Sequence, residues 1–517
     1  MIVEFRFDDE RPRAWMTRLA ALLDDGHVDI QIAWVRTGAS RPAGLEALFE
    51  LERMLLRNGR SSGADAVSKD ACGTHKRTDR KPDIVIDFTN VEPEAACSPR
   101  LYLRPLYNGA AGEDAVLAAI LSGDLPFIEI RNEIGGEILD AGLPSAETAD
   151  GLSGSLDTVM ARTATLLSAI VSGKPRLAPQ KINCVHHKRS RSPTSYVLRG
   201  LAGEIVKRIY RLCCYSPHWR VGWRYTDDAG IWRSRDLSGP EWKAISSPAH
   251  RFYADPFAAT WKGRTFVFFE DLDHRVGKGI ISAIEFGDAG PQGPLMPVLE
   301  EPWHLSYPFL IRHDDELWMI PESTGNQDVA LYKCIDFPTR WERHTTLLSE
   351  LELADPTIIR HGELYYLFGA TRDGAGGYSD TLSLFYAQDL FGPWLPHASN
   401  PVMIDRTSAR PAGNFVTING RTWRPVQDCT VGYGCALGLA EVVELSPTSF
   451  KQIVRHTIRP GPLWTGRKLH TLNRCGRLEL IDGTSIQPKI TAFGLPGRRP
   501  HSNGQRELRL SESRAGE

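Results

Sequence analysis

Long apolar runs are missing from this chain. Nowhere does it approach the roughly 18 to 20 consecutive apolar residues that a membrane-spanning helix needs, so a bilayer-spanning role is not expected. Charge of one sign is missing too. Sixty-one basic and 63 acidic side chains leave a net charge of −2, which gives no general pull toward nucleic acid, and any basic partner site must be local. Cysteine is sparse and unpaired in spacing. The nine residues Cys72, Cys97, Cys184, Cys213, Cys214, Cys334, Cys429, Cys435 and Cys475 fit reduced thiols better than a secreted disulfide framework. The opening residues, Met1 to Glu10, lack a basic stretch followed by an apolar one, so no secretory signal is expected and the protein reads as cytoplasmic. No metal and no cofactor is expected.

Repetition is what the chain does have. Ala254-Asp255-Pro256-Phe257, Ser306-Tyr307-Pro308-Phe309, Ala354-Asp355-Pro356-Thr357 and Ala409-Arg410-Pro411-Ala412 place their prolines 52, 48 and 55 residues apart. A period of about 50 residues with several short β-rich runs per unit is the pattern of a β-propeller, whose blades bury both faces only by stacking around a ring. Each unit adds an aromatic second strand, as in Thr265 to Asp271, Leu317 to Ser323, Leu364 to Gly369 and Arg421 to Asp428. A divergent fifth unit, His470 to Asn473 with Leu478 to Gly483, lacks outer strands that Trp219 to Tyr225 can supply. Five blades over 219–483 is the expected all-β architecture.

Before the propeller, residues 1–172 read as an α/β domain. Val28 to Val35 and Pro82 to Phe88 look like buried strands, Ala115 to Leu121 and Leu156 to Val171 like helices, and Arg57 to Arg80 like a mobile loop. Residues 173–218 form a basic linker and an amphipathic segment, Tyr196 to Tyr215, with Leu198, Leu201, Ile205, Ile209 and Leu212 on one face. Two readings of it stand, a helix packed on a neighbouring domain and a helix lying on a membrane surface through 196–215. Cys213 and Cys214 beside it are where palmitoylation would fall. Residues 484–517 read as a flexible tail.

Inner strands of a propeller converge on one end of its channel, so Asp255, Asp355, Arg410 and His470 are expected to face one pocket, with Glu270, Glu322 and Asp428 added from second strands. Several carboxylates in one funnel suit glycoside chemistry, in which one protonates the leaving oxygen and another acts as nucleophile or activates water. Arg410 and His470 are suited to hold a carboxylate ionised or to bind an anionic sugar substituent. Phe252, Tyr253, Trp303, Tyr307 and Tyr433 offer stacking faces for sugar rings. Against this, an Asp before Pro often only caps a turn, whereas Glu322 in an apolar strand needs a partner.

The ordered set Tyr253 to Phe257, His304 to Pro308, Pro321-Glu322-Ser323, Ala354-Asp355-Pro356, Ala409 to Gly413 and Gln427-Asp428-Cys429 with Tyr433-Gly434 resembles a propeller segment of uncharacterised bacterial proteins. The same segment resembles the N-terminal region of plant glucosamine inositolphosphorylceramide transferases and, more distantly, five-bladed propeller glycosidases. The resemblance implies Asp255 as base or nucleophile and Asp355 as its helper; for the general acid, Glu322 is the choice among the remaining carboxylates, with Glu270 in reserve. Glu270, His304, Tyr307, Arg410, Gln427, Asp428 and His470 are then the expected substrate contacts. In the plant enzymes a separate domain performs transfer, and nothing in this chain corresponds to it.

The first domain has its own likeness. Ser98 to Ala111, Ala118 to Asp124 and Ile138 to Gly142 resemble the folate-dependent formyltransferase fold. That family uses an Asn, a His and an Asp, which the resemblance places at Ser98, Arg100 and Asp140. Only the Asp is kept, and Arg is no acid-base group near neutral pH, so the site is degenerate.

The leading expectation is a carbohydrate-active protein whose funnel binds a glycan, a sugar nucleotide or a glycolipid headgroup, with hydrolysis or glycosyl transfer as its chemistry. The alternatives are a non-catalytic glycan-binding scaffold and a formyl or acyl transferase on an amino sugar.

Overall fold

The computed structural model describes residues 1–23, 28–38, 44–56, 59–72, 80–92, 99–175, 192–372 and 376–489. Ser98, Cys97, Cys184, most of the basic linker and the charged tail lie outside the described residues.

The first unit is a seven-stranded mixed sheet flanked by helices. Its strand order is Asp29–Val35, Ile2–Asp8, Ile84–Asp87, Leu101–Tyr107, Ile128–Asn132 and Ile138–Gly142, with Ala110–Ala111 pairing off Leu101–Tyr107. The first four strands run parallel and the last two antiparallel. Parallel strands are covered on both faces, which is why Val3, Phe5, Phe7, Ile84 and Ile86 on one face and Glu4 and Val85 on the other are all buried. The helices α1 (Ala14–Leu23), α2 (Leu45–Leu55), α3 (Glu113–Ser122) and α4 (Gly151–Val171) supply the cover.

The described part of the Arg57 to Arg80 segment is not a detached loop. Ser62 and Ala64 are fully buried, Ala64 O accepts from Arg13, and Lys69–Cys72 makes a short helical turn ending on a buried thiol. Its polar composition hides this because the buried groups are backbone and small side chains.

The propeller has five sheets. Blade 1 is Arg251–Trp261, Arg264–Asp273, Lys278–Gly287 and Gly290–Leu299; blade 2 runs from Ser306–His313 to Arg340–Ser349. Blade 3 runs from Leu353–His361 to Leu395–Pro396, and blade 4 from Val416–Ile418 to Phe450–Ile458. In blade 5, Leu472–Cys475 and Leu478–Thr484 are completed by Trp219–Tyr225, which pairs residue for residue with Leu478–Thr484, and by Lys243–Ala244. The two ends of the propeller thus share one sheet, and closure leaves it no free edge to the ring.

The two units are tied by buried polar contacts. Arg162 on α4 pairs with Asp380 of blade 3 at 2.6 Å, with neither side chain exposed. Leu143 bridges to Asp405 in parallel, and Arg406 donates to Pro144 O and to Asp124.

Candidate functional site

Three inner strands break register at the same place. Pairing slips between Ala254 and Phe257, between Ser306 and Phe309, and between Ala354 and Thr357. Each slip is a bulge whose first residue is left-handed, with φ of 50° at Asp255, 43° at Tyr307 and 54° at Asp355. Left-handed backbone is unfavourable before proline and worse for a bulky Tyr, at about 1 to 3 kcal/mol each. The bulge turns these side chains out of the pleat and onto the axis.

The second strands of blades 5, 2 and 1 each pass a carboxylate toward the following blade. Asp482 of blade 5 accepts from the Asp255 N–H at 3.1 Å, and Glu322 of blade 2 accepts from the Asp355 N–H at 3.0 Å. These are the N–H groups that the bulges free from their ladders. Glu270 of blade 1 meets His304 at 3.2 Å. Because Gly279 N donates to His304 Nδ1 at 2.9 Å, the Nε2 proton is the one aimed at Glu270. Burial alone would lower the His304 pKa, but Glu270 outweighs it and the pKa rises.

Asp255 is 5% exposed, and its Oδ1 accepts from Thr471 Oγ1 at 2.8 Å with His470 Nε2 at 3.6 Å. Among the described residues its Oδ2 has no hydrogen-bond partner. Burial lifts the carboxyl well above its ordinary range, His470 opposes the lift, and Asp482, Asp355 and Glu270 add to it. His470 is sandwiched by Trp219, stacked at 3.9 Å, and the edge of Tyr433 at 5.1 Å. Gly434 below it has φ +59°, and a Cβ there would lie 2.6 Å from His470 Cβ.

Asp355 is held differently. Its Oδ2 accepts from Arg410 Nε at 2.6 Å and from Gln427 Nε2 at 3.0 Å. Burial lifts its pKa, Arg410 lowers it, and contact with the Glu322 carboxyl lifts it again.

Asp255, Glu270, Glu322, Asp355, His304, Arg410, Gln427 and His470 therefore gather around one axis. Two expected members do not face the funnel. Tyr307 is fully buried, with its hydroxyl accepting from Gly413 N at 2.7 Å and bonded to Thr357 at 2.9 Å, so it ties blades 2, 3 and 4 across the axis beneath the site. Asp428 follows Gln427 in an extended strand and so points the opposite way, to the Thr430 N–H and to Arg459. Arg410 is also unavailable to an anionic substituent, since Asp355 occupies it.

Asp482 and Lys468 were not in the expected set, and Tyr433 was in it only for its ring. Asp482, fully buried, accepts from His470 N, Thr471 N, His470 Nδ1 and Asp255 N. Its position at the second-strand end, equivalent to Glu270 and Glu322, was the signal for it. Tyr433 appears in sequence only as a stacking face. Its ring carries Arg410 at 4.5 Å, and its phenol, held neutral by burial and by Asp255, Asp355 and Glu322 against the pull of Arg410, lacks a partner among the described residues. Lys468 sits half-buried over Tyr433 at 5.2 Å and Trp219 at 5.8 Å, with no ion-pair partner among the described residues; burial lowers its pKa. From the α/β unit Glu147 reaches the rim, accepting from Tyr378 N at 2.9 Å.

Asp255, His470 and Asp482 bring three ligand atoms within 4.8 Å of one another. All of them already bond to protein, Asp482 to four donors, so the trio reads as a hydrogen-bonded hub more readily than as a metal cradle.

In the first unit the expected trio is not assembled. Asp140 lies opposite Ile130, which lies opposite Pro105, so Asp140 is five positions along the sheet from Arg100. That is about 17 Å along the strand direction. Arg100 is exposed and Asp140 bonds back to the Ala141 N–H. The crevice of this unit lies instead where strand order reverses, at the ends of Ile2–Asp8 and Ile84–Asp87, lined by Asp8, Arg11, Thr37, Asn90 and Asp114.

Residues 241–479 match the family model described as glucosamine inositolphosphorylceramide transferase 1, N-terminal. The Arabidopsis thaliana protein of that name is 28% identical over 256 residues, which is 46% of this chain and 33% of the relative. The Oryza sativa subsp. japonica protein is 28% identical over 232 residues, 43% of this chain and 31% of the relative. The chain thus aligns with about a third of these relatives' length. Among solved structures, a family 117 glycoside hydrolase of the marine bacterium Zobellia galactanivorans is 12% identical with TM-score 0.35, over 51% of this chain and 90% of that one. A Cellvibrio cellulosa α-L-arabinanase complexed with arabinohexaose is 17% identical with TM-score 0.31, over 39% of this chain and 77% of that one. The family match opens after the closing strand Trp219–Tyr225 and leaves the α/β unit outside it, so what the chain shares with these transferases is its propeller.

Proposed function

We propose that the propeller funnel binds a carbohydrate, presented as a glycan, a sugar nucleotide or the headgroup of a glycolipid, and that Asp255 acts on it in hydrolysis or transfer of a glycosyl unit. The observation that carries this reading is Asp255 itself. It is rigidly placed by a bulge, desolvated, raised in pKa and left with one oxygen open. A carboxyl with pKa near the working pH is what general acid-base catalysis selects. Glu322 is the acid candidate by position, set on the Asp355 N–H beside a carboxyl whose pKa burial raises and Arg410 lowers. The Tyr433 phenol offers a neutral donor to a sugar hydroxyl, and the names of the propeller's relatives, built on glucosamine and inositolphosphorylceramide, agree with such a ligand.

One observation favours a second reading, a non-catalytic binding module. Glu322 Oε2 already caps the Asp355 N–H, so the acid candidate has a structural task. Asp255→Asn and Glu322→Gln separate the two. Under catalysis each lowers turnover by roughly 10² with affinity little changed. Under binding alone the wild type turns nothing over, and each variant loses about 1.5 to 3 kcal/mol of affinity per charged hydrogen bond. Calorimetry against a panel of glycans and glycolipid headgroups, beside an assay for released sugar, reads both. No binding and no release across the panel would sink the carbohydrate reading.

The likeness of the α/β unit to formyltransferases enters here as a proposal about ancestry of fold, with the unit acting as a platform for the propeller. The register that separates Arg100 from Asp140 supports this over formyl or acyl transfer. Consumption of 10-formyltetrahydrofolate with an amino-sugar nucleotide, dependent on Asp140, would reverse it.

A further inference from the structure

The helix α5 (Pro193–Cys213) packs its side chains on the first unit at its N-terminal end only. Val197 is buried, and Tyr196 and Leu201 pack against the core of the first unit. From Ile205 to Cys213 every residue is exposed. Leu198, Ile205, Val206, Ile209, Tyr210 and Leu212 are 58%, 58%, 65%, 56%, 37% and 75% exposed, six of the 20 large exposed hydrophobic residues among those described. Scattered apolar residues on a surface are ordinary, but so many on one helix mark a docking face.

The pattern around the helix says what it fits. With about 3.6 residues per turn, Leu198, Ala202, Ile205, Ile209 and Leu212 fall on one stripe, with Val206 and Cys213 along its border. Arg199 and Arg208 flank the stripe on its two sides, and Lys207 and Arg211 occupy the far face. Against these four basic residues stands one acidic residue, Glu204, which hydrogen-bonds Lys207. An apolar stripe framed by cations is the pattern of a helix lying in the plane of a membrane interface. No described helix is long and apolar enough to cross a membrane, and a second copy of α5 would bring a like-charged frame against the first. Charge complementarity selects an anionic lipid surface.

We propose that α5 docks the protein on an anionic lipid bilayer, with the Leu198 to Leu212 stripe sunk at the boundary of headgroups and acyl chains. The anchor is fastened to the propeller. Cys214–Tyr215, which follows α5, pairs with Gln487–Pro488 just beyond the last blade, and Lys489 bonds to Arg211 O and Cys213 O. The proposal is independent of the funnel's chemistry.

Co-sedimentation of the full chain with vesicles tests it. The protein should pellet with vesicles of phosphatidylcholine mixed with phosphatidylglycerol and remain in solution with phosphatidylcholine alone. The Ile205→Glu/Ile209→Glu variant should lose binding, and Arg199→Gln/Arg208→Gln, which removes the two cations flanking the stripe, should weaken it by roughly 30-fold, since each interfacial cation contributes about 1 kcal/mol. These side chains are exposed, so melting temperatures should match the parent's and a folding defect is separable. Absence of binding to the anionic vesicles, or binding that survives the double Glu substitution, overturns the proposal. So does a dimer in solution that becomes a monomer in the Glu variant without any lipid binding.

Discussion

Asp255 and its neighbour His470 couple the funnel to pH, and the sign follows from burial. The Asp255 carboxyl rises from 3.8 to about 7 on folding, and the His470 imidazole also rises, because Asp482 and Asp255 outweigh its burial. A group with a raised folded pKa stabilises the fold below its unfolded pKa and loses that contribution as pH climbs through the folded value. Stability should therefore fall as pH rises through the window from about 4 to about 7, and Asp255→Asn should flatten that decline. Urea midpoints of the wild type at about pH 5 and about pH 8 should differ by more than those of the variant. Equal slopes would mean that Asp255 is ionised in the folded protein throughout.

Arg410 and Asp355 make a second residue-level test. Neither is more than 7% exposed at its side chain, so Arg410→Met leaves a buried carboxylate without its cation and should cost about 3 to 5 kcal/mol, whereas Arg410→Met/Asp355→Asn should recover much of it. Chemical denaturation of the two variants measures the difference. A double variant as weak as the single one would deny the pairing.

At the level of strands and blades, the bulge is the unit that matters. It is repeated in blades 1, 2 and 3, and in each it converts a residue of the pleat into one facing the axis. Blade 4 departs, since Pro411 makes only an isolated bridge to Val426 before the strand begins at Val416, and Arg410 there reaches sideways to Asp355. Tyr307 is the strut beneath these bulges. Tyr307→Phe keeps the packing on Phe257 at 4.8 Å but orphans the Gly413 N–H, at a cost of about 1 to 3 kcal/mol. Thermal unfolding should show that loss, while glycan affinity should stay near wild type because the hydroxyl lies below the funnel. A selective loss of affinity would instead make Tyr307 a ligand contact.

For the assembly of the two units, the Arg162–Asp380 pair is decisive. Both side chains are fully buried at the junction, and Ser145 N also donates to Asp380. Arg162→Met should destabilise the protein by about 3 to 5 kcal/mol and split one cooperative unfolding transition into two, as the α/β unit loses its seat on blade 3. Calorimetry would show it, and a single transition at an unshifted temperature would mean that the units hold together by other contacts. Glu147 at the rim depends on the same seat, so the split should also change the electrostatics of Lys468 and Arg410, both of which feel Glu147.

The repeat spacing, the prolines, the aromatic second strands and the amphipathic face of α5 are local patterns, and each could be read along the chain because a strand or helix writes its own period into the residues that form it. The same period put Asp255, Glu270, Glu322 and Asp355 near one axis. Direction and partnership could not be read in that way. Gln427 and Asp428 are neighbours whose opposite roles depend on which face of a strand meets the funnel. Arg410 is an anion ligand until Asp355, 55 residues away, is placed against it. Asp482 is an ordinary acid until a bulge 227 residues earlier presents an N–H to it. In the first unit, the likeness of Ser98, Arg100 and Asp140 to a catalytic trio depended on their order, while the sheet register holds Arg100 and Asp140 apart. Ring closure and sheet register bring distant segments into contact, and a buried charge takes its role from the partner it meets there.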